Sequence, residues 1–263
     1  HLSTCKSPQG MFGALAKSYY ADKCGLKSEE IKVVSIMPCT AKKMEAQRPQ
    51  LATGQIPDVD LVLTTRELGK MLREAGIDLR SLPQDSFDAP FGLASGAGAI
   101  FGTTGGVMEA ALRTVAAWLG EKGKLQWEEL RGGEALRTAT ITLAGQKLRL
   151  AVVYGLGKAR ELLAQLLSGS LPYDFVEVMC CPGGCIGGGG QSLPTTWQER
   201  EKRAGALYEI DSQLPVHASH ENPGIRELYQ EYLGEIGWEL AHSLLHTTYT
   251  PRPLPFNAQK RNS

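Results

Sequence analysis

The sequence predicts an α/β fold in two lobes, with mostly parallel sheets flanked by helices, and three observations carry that expectation. Short β-branched runs alternate with segments of helical periodicity, the pattern of strands covered by crossover helices. The 30 glycines among 263 residues exceed the usual ~7% share and cluster between Gly92 and Gly106 and again at 183–190, where backbone is built for close approach. Cys39 and the cysteines at 180, 181 and 185 each follow a predicted strand, and open α/β sheets collect ligands beyond the carboxyl ends of their strands.

Taken in order, Ser7 and Pro8 open a helix in which Met11, Phe12, Leu15, Ala16 and Tyr19 recur at helical spacing, and Gly25 stops it. Ile31 to Met37 and Leu61 to Leu63 read as buried strands. Thr64 with Glu67 forms a capping box before Leu68, Met71 and Leu72, and that helix ends near Gly76. A helix runs from about Val107 to Leu119, a hairpin turns at Ala144-Gly145 within 137–154, a helix covers 158–167, and Phe175 to Met179 is a strand. Helical spacing returns from Ile225 to Leu245, and a polar tail at 251–263 is expected to be poorly ordered. The expected organisation is one domain over residues 1–250, its lobes dividing near 120–135 with a ligand site between them.

Composition narrows the chemistry. With 28 basic and 28 acidic side chains the net charge is zero, so the field of a nucleic-acid binder is absent. No apolar run approaches the ~20 residues of a membrane helix. Six unevenly spaced cysteines do not make a secreted disulfide framework in a chain this large, so reduced thiols or metal ligands are expected. The opening His1, followed at once by a helix signal, reads as a chain whose upstream part is absent, so a missing signal peptide does not decide the compartment.

Six of the eight residues at 183–190 are glycine. Thiolates holding an iron-sulfur cluster need backbone wrapped tightly around inorganic sulfur with N–H groups turned inward, which glycine permits. A flexible loop with buried thiols and a zinc site remain open alternatives at this point, although CxxxC departs from the usual zinc knuckle.

Three separated segments, LSTCKSPQ at 2–9, MPCTAKKMEAQRP at 37–49 and EVMCCPGGCIGGGGQ at 177–191, resemble the catalytic domain of [FeFe]-hydrogenases. LVLTTRELGKML, SGAGAIFGTTGGVMEAALR, ALYEID and SHEN extend the resemblance over nearly the whole chain. It implies an H-cluster: a [4Fe-4S] cubane joined through one cysteine sulfur to a diiron unit carrying CO, cyanide and a bridging dithiolate, which interconverts protons and H2. By motif position Cys39 and Cys181 resemble cubane ligands, Cys185 the bridging thiolate, and Lys42 the lysine contacting a cyanide. Met37 and Met179 resemble the methionines packed around the diiron unit, and Phe101 the aromatic beside it. Ser7, Pro8 and Gln9 resemble the loop approaching the diatomic ligands, Glu45 a brace for the Lys42 loop, and Ser3 a hydroxyl on the proton route. Cys180 stands where the family usually has alanine and is expected to be small and buried. The resemblance further implies a ferredoxin or NAD(P)-linked electron partner, maturation proteins, and a cytoplasmic location with the periplasm left open.

The family's upstream Cys-Cys-Pro motif, which supplies a proton-shuttling cysteine and the fourth cubane ligand, has no counterpart in this sequence, and accessory iron-sulfur clusters belong to the same missing region. Neither Cys5 nor Cys24 matches a ligand position, so weak cluster binding and little turnover are expected of this chain alone. The rival reading is a hydrogenase-like protein without turnover, used in iron-sulfur delivery or redox sensing. Retention of Met37, Lys42 and Met179, which serve only the diiron unit, favours catalysis. Gly155 to Lys158 lacks the Ser or Thr of a phosphate-binding loop. His242 and His246, four apart on a predicted helix, imitate a metal pair, but no third ligand lies near them in sequence and a packed or solvated helix face is the expectation. His220, in SHEN, has no assigned chemistry.

Overall fold

A computed structural model describes residues 1–121, 134–170 and 172–251. The chain forms two compact units. One contains His1–Ser35, Met44–Leu61 and the described part of Leu233–Ser263; the other contains Ile36–Lys43 and Val62–Tyr232.

In the first unit the predicted opening helix is continuous as α1 (Pro8–Leu15), a π-helical turn (Ala16–Tyr20) and α2 (Ala21–Cys24), and it stops at Gly25 in the left-handed conformation, φ +66°. A two-residue pair, β2 (Ala52–Thr53) and β3 (Ile56–Pro57), precedes Asp58, whose carbonyl lies where a side chain on Gly13 would project. That close approach lets Lys6 reach Asp58 at 2.8 Å, a pair almost wholly removed from water. The late helical region is interrupted: α9 (Pro223–Leu228), of the second unit, runs into a π turn at Tyr229–Leu233, and α10 (Glu239–Leu245), of the first, follows after Gly234 and Gly237, both at positive φ.

The chain passes between the units within β1 (Val34–Met37), which pairs with β4 (Leu61–Thr64), and again within the short helix α3 (Ala41–Ala46). The Thr64 capping box forms as expected: Thr64 Oγ1 accepts from the Glu67 amide and the Glu67 carboxylate accepts from the Thr64 amide, opening α4 (Thr65–Glu74).

In the second unit α5 (Gly96–Ile100) and α6 (Gly106–Trp118) precede a three-stranded sheet of β5 (Leu136–Leu143), β6 (Gln146–Tyr154) and β7 (Phe175–Met179). The sheets are smaller and more mixed than the expected parallel ones. Ala144 and Gly145, at φ +48° and +76°, close a two-residue hairpin that makes β5 and β6 antiparallel, while α7 (Leu156–Leu167) carries the chain back so that β7 lies parallel to β6. Residues 150–153 of β6 are buried on both faces. Met108, Leu112 and Ala116 of α6 pack with Ile141, Leu150 and Val152 on one, and Ala159 and Leu162 of α7 with Val153 on the other. That packing places α6 and β5 in the same unit. The lobe boundary expected near 120–135 falls largely on 122–133, outside the described residues, as does the tail from 252. The longest helix, α8 (Trp197–Gln213), buries only Asp211, which explains why hydrophobic spacing did not reveal it.

Candidate metal centre

Seven of the residues singled out from the sequence belong to the second unit: Met37, Cys39, Lys42, Phe101, Met179, Cys181 and Cys185. β1 ends at Met37 and delivers Pro38 and Cys39; β7 ends at Met179 and delivers the glycine loop. The two loops are held together by backbone. The Gly190 amide donates to the Pro38 carbonyl at 2.9 Å, and Gly188 lies so close that a Cβ there would be 2.1 Å from the same oxygen. Gly187 faces the Pro182 carbonyl at 2.2 Å from its would-be Cβ, and Gly184, at φ +90°, sits against the Thr103–Thr104 backbone. Glycine is therefore required by geometry at these positions, and the expected close approach is between the cysteine loops themselves. Replacing Gly188 with alanine is expected to destabilise the unit by about 1–3 kcal/mol, the range for overpacking, and to lower iron uptake, as read by urea unfolding and iron analysis; wild-type values for both would refute this account.

Two further contacts set the loop. Thr104 N–H donates to the Gly183 carbonyl at 3.1 Å and Ile186 N–H to the Gly102 carbonyl at 3.1 Å. Behind them Glu177, buried in β7, accepts from the amides of Gly105 (2.6 Å) and Met108 (2.8 Å) at the start of α6. Burial raises the pKa of this carboxyl, and the amides at the helix terminus oppose the rise. Glu177 was not singled out from sequence, although it opens the EVMCCPGGC segment. From outside, Arg66 donates to the Gly189 carbonyl at 2.8 Å and Arg203 to the Ile186 carbonyl at 2.9 Å.

Cys39, Cys181 and Cys185 are free, half-buried thiols within electrostatic reach of one another. Burial raises the pKa of Cys181, and Cys39 and Cys180 add to it; an amide N–H of Gly189 opposes them. Burial likewise raises Cys185, Cys39 adds to it, and the Lys42 ammonium opposes it. Cysteine sulfur is a soft donor, and iron-sulfur clusters are held by cysteine thiolates. Among the described residues no three such side chains stand at the spacing of a single metal ion, but the donor type, the Gly189 amide beside Cys181 and the Lys42 ammonium beside Cys185 are groups that suit a cubane. Cys180, expected to be buried, is exposed, because residue 180 continues the alternation of β7 past half-buried Met179 toward solvent. Phe101 packs with the Ala97, Ile100 and Ala110 cluster.

The remaining candidates, Ser3, Ser7, Pro8, Gln9 and Glu45, belong to the first unit. There Ser7 Oγ and Gln9 Nε2 both donate to Glu45 Oε1, the latter at 3.2 Å. Ser3 is exposed; its hydroxyl accepts from the Cys5 amide at 3.3 Å and its carbonyl from the Tyr249 hydroxyl at 2.8 Å.

Free thiols on two loops joined through glycine backbone, in an α/β fold, are a donor set suited to an iron-sulfur protein. The chain belongs to the iron-only hydrogenase family: the model for the iron only hydrogenase large subunit, C-terminal domain, matches residues 1–189, and that for the iron hydrogenase small subunit matches 198–252. It is 49% identical over 253 residues to the NADP-reducing hydrogenase subunit HndD of Solidesulfovibrio fructosivorans, covering 95% of this chain and 43% of that one. It is 36% identical over 258 residues to the cytosolic iron-sulfur assembly component 3 of Mus musculus, covering 95% and 54%. The apo [FeFe]-hydrogenase HydA1 of Chlamydomonas reinhardtii matches with a TM-score of 0.80 at 42% identity, over 94% of this chain and 70% of that one. The chain thus spans about half the length of the curated relatives it matches.

Proposed function

We propose that this domain serves reversible interconversion of protons, electrons and H2 at an H-cluster. The observation that carries the reading is the grouping of Cys39, Cys181 and Cys185 in one unit, with Lys42 acting on Cys185. On this reading Cys39, Cys181 and Cys185 would supply three of the thiolates that hold the cluster. The bound group supplies the redox chemistry and the binding of hydrogen. The protein would orient and dry it: Lys42 would offer its ammonium to an anionic ligand of the bound group, which needs a cation once removed from water. Met37, Met179 and Phe101 fill space with groups that carry no exchangeable proton. Within the first unit Glu45 holds Ser7 and Gln9 in place, next to Pro8. Ser3 relays protons, since a hydroxyl both donates and accepts. A fourth cubane thiolate and a proton-shuttling cysteine are required in addition to these residues. Electrons would come from a ferredoxin or an NAD(P)-linked partner, accessory clusters and maturation proteins would act with the domain, and the setting would be the cytoplasm.

A second reading, a hydrogenase-like iron-sulfur protein without turnover, is favoured by the similarity to cytosolic iron-sulfur assembly component 3. Infrared spectroscopy of the longest available gene product, matured with its accessory proteins, separates the two. Bands of metal-bound CO and cyanide together with H2 evolution are the expected result. An iron-sulfur chromophore without those bands and without H2 would overturn the first reading in favour of the second.

A further inference from the structure

The structure supplies what the sequence withheld from His242 and His246: a third donor. Cys5 and His246 face each other in an isolated antiparallel bridge. Lys6 N–H donates to the Leu245 carbonyl and Thr247 N–H to the Thr4 carbonyl, both at 2.8 Å. This pattern makes Cys5 and His246 a non-hydrogen-bonded pair, whose Cα atoms stand ~4.5 Å apart with both side chains on one face. His242, one helical turn before, stacks on His246 with ring centroids 4.2 Å apart and planes 8° from parallel. The Thr4 hydroxyl lies 2.8 Å from Nδ1 of His246. With Nδ1 carrying the proton toward that oxygen, Nε2 presents its lone pair, the arrangement by which outer-shell oxygens orient metal-ligating imidazoles.

We propose that Cys5, His242 and His246 form a second metal site, separate from the centre at Cys39, Cys181 and Cys185, taking one zinc ion with solvent water in the fourth position. One thiolate and two imidazoles select zinc over magnesium or calcium, which require oxygen donors. Among the described residues no three such side chains stand at single-ion spacing as the rotamers lie. Closing the site requires Cys5 and His242, both exposed, to change rotamer, the His242 ring leaving its stack on His246, which Thr4 and the bridge hold. Bound zinc would fasten the segment carrying Ser3 to the end of α10. The inference does not depend on the hydrogenase reading, because none of its ligands serves that centre.

Zinc(II) titration of the metal-free, reduced full chain against a chromophoric competitor tests it, comparing the parent with Cys5→Ser and His242→Gln. Both substitutions are at exposed positions, and circular dichroism verifies that the fold is kept. The parent is expected to bind one equivalent more than either variant, and Thr4→Val to weaken that equivalent by about 10–100-fold. Cobalt(II) in place of zinc should give a thiolate charge-transfer band whose contribution from this site disappears in Cys5→Ser. Equal zinc binding by parent and variants would overturn the proposal. So would loss of the equivalent in His242→Gln with retention in Cys5→Ser, since that result describes two imidazoles without the thiol.

Discussion

Cys185→Ser is expected to reduce hydrogen evolution of the matured protein to background, whereas Cys180→Ser leaves it near the parent value. The two thiols are five residues apart and differ in setting. Cys185 is half-buried in the glycine loop, with Cys39, Cys181 and the Lys42 ammonium all acting on it, while Cys180 is exposed. A serine oxygen at 185 is a hard donor where iron-sulfur chemistry calls for a soft one, and on the proposed reading it would break the only covalent link between the two halves of the cofactor. Iron and sulfide content, infrared bands and H2 evolution with reduced viologen, taken together, distinguish failure to hold the cubane from failure to hold the diiron unit. Undiminished evolution by Cys185→Ser, or its loss in Cys180→Ser, would mean that the assigned thiol is the wrong one.

The local features of this fold were legible because each rests on neighbours in sequence. Thr64 and Glu67 announce a capping box, Ala144-Gly145 a hairpin, and Gly25 a helix stop, and all three form. The close approach at the glycine loop was legible for another reason: CCPGGCIGGGG is nearly bare of side chains, and Gly188 and Gly190 meet the backbone of Pro38. What escaped is long-range. α8 is polar on nearly every side, so no apolar stripe marks it, and its single buried residue is a carboxylate whose partner lies 98 positions away. The packing of α6 on β5 and β6 joins segments on either side of 122–133. Cys5 and His246 become neighbours only when residue 5 and residue 246 pair as strands. Periodicity carries no information of that kind.

The α8 carboxylate yields the largest expected effect on stability. Arg113 of α6 holds Asp211 with two bonds, Nη1 to Oδ1 at 2.8 Å and Nη2 to Oδ2 at 2.7 Å, and also donates to Glu109 at 2.6 Å. All three side chains are largely buried, at 15%, 10% and 0% exposure for Arg113, Asp211 and Glu109. Gly96 admits the carboxylate, since a Cβ there would stand 1.8 Å from Oδ1. Asp211→Asn would leave an amide N–H facing a guanidinium and one buried cation compensated by Glu109 alone, so a loss of about 3 kcal/mol is expected, the lower end of the range for breaking a buried pair. The pH dependence follows in sign. Burial pushes the Asp211 carboxyl up, but the Arg113 bonds and charge outweigh it, so its folded pKa lies below 3.8. A lowered carboxylate pKa stabilises the fold above the unfolded value, and that contribution is lost as pH falls through the folded one. Urea midpoints of parent and Asp211→Asn should therefore stay apart from neutrality down to about pH 5, His217 Nδ1 also lying 3.4 Å from Oδ1, and converge below about pH 4. A gap that stays fully open in strong acid would assign the stabilisation to packing of α8 and not to the ion pair, because protonation removes the charge but leaves the shape of the side chain unchanged.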